Sequence, residues 1–317
     1  MKSNLITTCI IGLNYGLNVI YPILKKDKKI KILGVSSTRK KKLINNLNQF
    51  KDWKKMIQFC KPQFVIVATP PKLQNRILIY LIRNNIPFFA QKPLSDNYLS
   101  SKFIFNKIKK KKIISDLDLN FLQLKAIVKF RQILKNKKVF NSKIDARWFL
   151  NSKTLSNKNS WKNDEKKGGG LLYNFGFHLF SILIDYFGDL KLFGLTKKKN
   201  FYKLDFQDEN NNFINVILSN NKNNSNLFEI SLKNLKKNKY SIKNISKNYH
   251  DNFRISKNGK IIFMQKNSKS PEISRRIASA LILKTFIKNL KNKNKIISKN
   301  ILLSMKIHNL IKSIEEK

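Results

Sequence analysis

Leu5-Ile6-Thr7-Thr8-Cys9-Ile10-Ile11-Gly12-Leu13-Asn14-Tyr15-Gly16 is the stretch that decides the fold. The apolar run reads as a short buried strand, Gly12 as a tight turn, and Tyr15–Leu24 as the helix that follows. A dinucleotide fingerprint, G-x-G-x-x-G, would stand at this junction, its glycines letting backbone approach a pyrophosphate at the helix N-terminus. Here Asn14 takes the second glycine's place and Leu17 the third's. Asn tolerates positive φ better than most residues, so the turn can survive with the side chain steered away from phosphate. Leu17 implies a wider helix–sheet contact, or relief from Gly16 beside it. An ordinary βα turn is the other reading of these residues.

Downstream, short apolar runs alternate with amphipathic stretches. Strands are expected at Ile30–Val35, Phe64–Val67, Ile86–Ala90 and Ile113–Ser115, and helices at Lys40–Phe50, Leu73–Ile82 and Tyr98–Lys109. This alternation predicts an α/β fold with a parallel sheet wrapped by helices. Strands buried on both faces read as continuous apolar runs. Ligands of such sheets bind at the strands' carboxyl ends, where Gly12, Ser36, Thr69 and Lys92 fall. The second strand runs into Ser36-Ser37-Thr38-Arg39-Lys40 with no acid for a ribose 2′-hydroxyl. Hydroxyls followed by Arg39 and Lys40 suit a 2′-phosphate, so NADP is the expected cofactor and NAD the alternative. An ordinary turn among background lysines is the competing reading.

Past residue 120 the pattern changes. A helix is expected at Phe121–Leu134, a strand at Ile144–Leu150, and a long helix at Leu171–Phe187 after Gly168-Gly169-Gly170. Short β-like runs follow at Leu190–Leu195, Phe213–Leu218, Phe228–Leu232 and Lys260–Met264, separated by Asn/Lys turns. They predict an open, mostly antiparallel sheet. Helices at Ile273–Leu290 and Ile297–Ile314 close the chain. The expected division is 1–120 for the nucleotide-binding domain and 121–317 for a second α/β domain, with the C-terminal helices able to pack back on the first.

The 317 residues carry a formal net charge of +47, nearly all from lysine. Such charge favours polyanions or anionic membrane surfaces. Arginine, the better bidentate phosphate ligand, is scarce, and the lysines form no single basic arm. Asn and Ile are also abundant, as A+T-rich codons produce, so a solvated lysine surface is the favoured reading and no specific nucleic-acid partner is expected. Two cysteines and three histidines show no metal spacing, so no metal is expected. No run reaches the length of a spanning helix, and a cytoplasmic location is the default expectation.

Two residues stand out as chemistry carriers. Lys92, in Gln91-Lys92-Pro93, ends a buried strand, and an ammonium near an oxidised nicotinamide would have its charged form disfavoured. His178 lies four residues after Asn174 on one helix face, with Gly176 between them leaving room for close approach. A satisfied core histidine is the competing reading of His178. Trp161 and Tyr173 read equally as a stacking wall for a sugar ring or as core.

Taken together, Ile11–Gly16, Ala68-Thr69-Pro70-Pro71, Gln91-Lys92-Pro93-Leu94 and Gly168-Gly169-Gly170 through His178 resemble, in order and spacing, the glucose–fructose oxidoreductase / inositol dehydrogenase (Gfo/Idh/MocA) family. The resemblance implies a Rossmann domain followed by an α/β domain whose sheet often carries an oligomer interface, hence a homo-oligomer through that sheet. It implies NAD(P)-linked chemistry on sugars, cyclic polyols or nucleotide sugars, with Lys92 orienting substrate and cofactor and His178 as acid/base. The cofactor contacts it implies are Gly12, Asn14, Tyr15, Gly16, Ser36, Ser37, Arg39, Ala68, Thr69, Pro70, Leu73, Gln74, Gln91 and Lys92. Its substrate contacts are Asn174, Tyr173 and Trp161. Gln91 replaces the family's glutamate, keeping hydrogen bonds but losing charge, and Asn174 replaces an aspartate, leaving it an orienting role. A cofactor binder with little or no catalysis is the alternative expectation, and a basic binder of nucleic acid or membrane the third. The enzymatic reading expects Lys92 and His178 to meet at one reactive ring.

Overall fold

The structure is a computed structural model that describes residues 5–37, 47–135, 139–152, 160–221, 223–235, 237–246, 248–265, 268 and 270–317. It divides into two compact units, Met1–Leu119 with Arg275–Leu302, and Asn120–Ser274 with Leu303–Lys317.

In the first unit, β1 (Ile6–Ile11) runs into a π-helical turn at Gly16–Ile20 and then α1 (Tyr21–Lys26). There follow β2 (Ile30–Ser36), β3 (Asn48–Phe50), α2 (Trp53–Cys60), β4 (Phe64–Val67), α3 (Pro71–Arg83), β5 (Phe88–Gln91), α4 (Tyr98–Lys111) and β6 (Ser115–Asp118). The helix starts follow local chemistry. Asp52 caps α2 by accepting from the Lys54 and Lys55 amides, Asn97 caps α4 through the Ser100 amide, and Pro71 opens α3 where no donor is needed.

The six strands are parallel, in the order β3-β2-β1-β4-β5-β6. The order reverses between β1 and β4, the switch point where open α/β sheets bind ligands. Every residue of β4 is buried, as its unbroken apolar sequence requires. The core between sheet and helices holds Ile10, Phe64, Ile66 and Phe89, joined by Ile282, Leu283, Phe286 and Ile287 of α7 (Pro271–Lys291).

The expected helix over Lys40–Phe50 is corrected where it is described. Asn48–Phe50 is a strand, pairing in parallel with Gly34–Ser36 at the sheet edge. Residues 40–46 lie outside the described residues. The last strand is Ser115–Asp118, not Ile113–Ser115. Its two aspartates made it look polar, yet all four residues are buried.

The second unit contains a 3-10 turn (Asn120–Gln123), α5 (Lys125–Lys135), β7 (Lys143–Leu150), a π-helical turn (Leu172–Gly176) that continues as α6 (Phe177–Phe187), and strands β8 (Lys191–Lys198), β9 (Phe201–Gln207), β10 (Phe213–Asn220), β11 (Leu227–Lys233), β12 (Lys239–Asn244), β13 (Arg254–Lys257) and β14 (Lys260–Met264). The last helix, α8, is Lys299–Glu315. The eight strands are ordered β14-β13-β12-β11-β7-β10-β9-β8, and only β7 and β10 pair in parallel. Alternate residues are buried, as in β7 where Ile144, Ala146, Trp148 and Leu150 face inward. α6 covers that inner face, with Phe180 against Phe206 and Gly176 against Leu218. The sequence reading passed over β9, β12 and β13, whose buried residues alternate with lysines and are too few per strand to form apolar runs.

Candidate active site

Gly12 adopts φ +98°, and a side chain there would overlap the Ala68 carbonyl at the end of β4. The glycine is therefore needed to bring β1 and β4 together at the switch point, whatever binds beyond it. Gly12 N donates to Ser36 O at 3.0 Å and Ala68 N to Ile11 O at 2.8 Å, so the ends of β1, β2 and β4 are tied to one another. Gly16 does the work of the missing third glycine. A methyl there would meet Ile10 Cγ2 at 2.8 Å, while Leu17 packs at the edge of the core. Asn14 does not use positive φ, which corrects the expectation for it. Its exposed side chain instead accepts from Asn18 Nδ2 at 3.3 Å, turned along the helix.

Tyr15 turns its hydroxyl inward. It donates to Asp118 Oδ2 at 2.7 Å and lies 3.0 Å from Ser279 Oγ. Burial, then the Asp118 charge, holds its phenol protonated far above the usual range. Ser36 is buried; Ser37 follows, half-buried, its amide bonded to Phe50 O at 3.2 Å. Arg39 and Lys40, the expected 2′-phosphate ligands, lie outside the described residues.

Ala68, Thr69 and Pro70 lead from β4 to α3, with Leu73 half-buried in its first turn. Gln74 is buried, and its amide nitrogen donates to Gln91 O at 2.7 Å and Pro93 O at 2.6 Å. Its amide nitrogen thus holds the turn that carries Lys92. Gln91 Oε1 accepts from Lys92 N at 2.8 Å, and its amide donates to Asp118 Oδ2 at 3.4 Å. Lys92 is half-buried and its bond to Pro93 is cis. Thr69 Oγ1, which has no hydrogen-bond partner among the described residues, lies buried beside the Gly12 turn. A buried hydroxyl lacking a partner, beside a glycine turn at the switch point, fits a nicotinamide dinucleotide. Gly12, Thr69, Ser36 and the Gln91–Lys92 turn would hold it.

Within the second unit, Trp161 starts a short 3-10 turn and Gly168–Gly170 pass closely over it. A side chain on Gly169 would overlap the Trp161 carbonyl, and one on Gly170 would overlap Glu165. The glycine run is therefore required by packing. Asn174 Nδ2 donates to Lys162 O at 2.6 Å and Gly170 O at 2.8 Å. An aspartate could donate neither bond, which gives the departure from the family motif a physical reason.

Tyr173 is 2% exposed, its ring 5.6 Å from that of His308. Burial favours the core reading of this residue. Trp161 is half-buried. His178 stacks on Phe121 at 4.2 Å and 27°. Phe121 in turn meets Trp148 and His250. His250 and His308 are buried, whereas His178 keeps part of its surface open. Burial pushes His308 down to about 3, which leaves it neutral. Of the three, His178 alone is not fully buried.

Sequence reading missed Asp118, Phe121 and Tyr249. The ring of Tyr249 lies 5.8 Å from Trp148 and 6.0 Å from Phe175, with burial raising its hydroxyl. Asp118 carried a weak signal, the second of two acids in the short stretch that follows the apolar Ile113–Ile114.

The strand order and the Gly12 turn define the first unit as a dinucleotide-binding Rossmann domain. The chain matches, over residues 6–116, the oxidoreductase family with an NAD-binding Rossmann fold (Gfo/Idh/MocA). It is by class an NAD(P)-dependent oxidoreductase. No curated protein matches the sequence. Among solved structures, the chain is similar to the 3-ketoreductase KijD10 from Actinomadura kijaniata, in complex with NADP and TDP-benzene. Identity is 12%, coverage 99% of this chain and 98% of that one, and the TM-score 0.80. It is similar to the WlbA dehydrogenase from Bordetella pertussis, in complex with NADH and UDP-GlcNAcA, at 11% identity, 100% and 96% coverage and TM-score 0.74. An oxidoreductase from Thermotoga maritima shares 17% identity over 98% and 95% of the chains, at TM-score 0.78. At these identities the likeness is one of fold. Among the described residues, no helix is long and apolar enough to cross a membrane, and no cluster of potential metal ligands occurs.

Proposed function

We propose that the chain is an NADP-linked oxidoreductase of sugar-class substrates, with nucleotide-linked sugars first among them. The observation that carries the reading is the Lys92 turn, fixed by Gln74 and Gln91 at the carboxyl end of β5 beside the switch point. When bound, the nicotinamide exchanges a hydride with the carbon bearing the reacting oxygen. Lys92 orients and polarises that oxygen. His178, its ring fixed by the Phe121 face, takes up or returns the hydroxyl proton. Arg39, next to Ser36 and Ser37 in sequence, favours the 2′-phosphate of NADP over NAD. Nucleotide-linked sugars are favoured because two solved relatives of the same fold carry TDP-benzene and UDP-GlcNAcA. Exposed Phe193 and Phe213, with rings 5.1 Å apart on the eight-stranded sheet, support a homo-oligomer through that sheet.

Asn174 favours a second reading, since both its amide hydrogens are spent on backbone carbonyls. That reading is a cofactor binder without turnover. One experiment separates the two. Melting temperature is measured with NADPH and NADH, and nicotinamide oxidation or reduction is followed across UDP- and TDP-linked sugars and uronates. An NADPH-stabilised protein that turns over a nucleotide sugar supports the first reading. Stabilisation without turnover on the whole panel supports the second, and no stabilisation by either cofactor refutes both.

A further inference from the structure

Asp118 closes β6 directly beside Gln91 in the parallel register. It is 1% exposed, and three donors converge on its Oδ2: the Tyr15 hydroxyl at 2.7 Å, Ser279 Oγ at 2.9 Å and Gln91 Nε2 at 3.4 Å. Its other oxygen is buried and has no hydrogen-bond partner among the described residues. A buried carboxylate is costly, and a purely structural contact with Ser279 and Tyr15 would be served as well by an amide. What an amide would lose is the negative charge facing the Gln91 amide. Gln91 hands that charge on, because its Oε1 receives the Lys92 N–H at 2.8 Å. The family motif puts a glutamate at position 91. In this chain the carboxylate stands one strand over, and the residue at 91 has become the amide that links to it.

We propose that Asp118 is a positioning residue for Lys92: its carboxylate fixes the rotamer of Gln91, and Gln91 fixes the main chain from which the Lys92 side chain leaves. Positions 91 and 118 thus work as a pair. The groups acting on Asp118 are Tyr15, Ser279, Gln91 and, on its own strand, Asp116. This inference rests on the reading that Lys92 lies at the bound cofactor.

The test reads Lys92 without using turnover. Wild type and variants are labelled with acetic anhydride, with and without saturating NADPH, and labelling at Lys92 is read by peptide mass spectrometry. The expected wild-type result is strong protection of Lys92 by NADPH. In Asp118→Asn protection should fall at least threefold. In Asp118→Asn/Gln91→Glu it should return to within twofold of wild type, because donor and acceptor are exchanged across the same pair. Ser279→Ala, which removes only the tie to α7, should leave protection unchanged. Gln91→Leu keeps the carboxylate but cuts the link, and should lose protection as Asp118→Asn does, which keeps the test decisive should Asp118→Asn fail to fold. Protection retained in both Asp118→Asn and Gln91→Leu overturns the proposal while leaving the proposed function standing. No NADPH protection of Lys92 in wild type overturns both.

Discussion

At the scale of single residues, the site is defined by what each side chain is already committed to. Asn174 is the sharpest case. Its amide bridges Lys162 O and Gly170 O, so Asn174→Asp, although it restores the family's residue, removes two donors and sets a carboxylate against two carbonyls. We expect it to destabilise the protein by about 1–3 kcal/mol, read as a lower denaturant midpoint with unchanged slope. Lys92→Ala should keep the NADPH-induced rise in melting temperature and lower kcat by about 10²- to 10⁴-fold. Two buried groups set the pH dependence with opposite signs. Burial raises Asp118 from 3.8 to about 6. The folded state therefore keeps a proton that the unfolded chain releases, and stability present below pH 3.8 is lost as the pH rises through 6, at most about 3 kcal/mol. Burial lowers His308 from 6.5 to about 3. Stability present above 6.5 is lost as the pH falls towards 3, on the order of 5 kcal/mol if the whole shift is expressed. His308→Leu should therefore flatten the acid limb of a denaturant-midpoint profile between pH 4 and 7. Asp118→Asn should steepen it, because the compensating group is gone. The positions of Lys92, His178 and Gly12 at strand or helix ends were legible in the sequence, because a glycine or proline marks each one. Tyr173 and Gln74, expected as ligand contacts, are buried. Which face of a helix meets core and which meets a ligand depends on neighbours such as His308 and the Gln91–Leu94 turn, which are distant in sequence.

The elements divide in the same way. Strands buried on both faces announce themselves, and β1, β4 and β5 were located to within one or two residues. The edge strand β3 has only Phe50 to mark it as apolar, and a lysine-rich run just before it looked amphipathic enough for a helix. In β9 and β12 the inward residues are Tyr202, Leu204 and Phe206, and Tyr240, Ile242 and Asn244. Their period is two, yet lysines on the open face dilute it. The packing of α7 depends on contacts over a span of some two hundred residues. Phe286 meets Phe64 at 5.4 Å and Phe89 at 5.8 Å, closing the core of the first unit. Phe286→Ala should cost about 3–5 kcal/mol. A fragment ending at residue 124 would expose Phe64 and Phe89, and it should fail to give a cooperative melt on its own.

For the whole molecule, the net charge of +47 and the nucleotide site make rival claims on function. Several lysines rest their ammonium groups over neighbouring rings, such as Lys54 over Trp53 and Lys107 over Phe103, and several carry exposed side chains on alternating sheet positions. This is the pattern of a solvated surface. Binding to random-sequence duplex DNA should therefore fall steeply with salt, while stabilisation by NADPH should persist at the same ionic strength. Fold class was the most legible level of all, since the alternation of buried strands with helices, followed by a run of short strands, permits few architectures. The sequence left room for the C-terminal helices to pack back on the first domain, but that Arg275–Leu302 is the part grouped with it depends on complementarity between surfaces rather than on periodicity. The central claim is that a cofactor-linked lysine drives redox chemistry on a nucleotide sugar, and the most direct measurement follows nicotinamide absorbance with wild type and Lys92→Ala side by side on that substrate panel. The account predicts steady NADPH-linked turnover of a nucleotide sugar by wild type and a loss of about two orders of magnitude or more in the variant, with cofactor binding intact. Equal rates in the two proteins would contradict it.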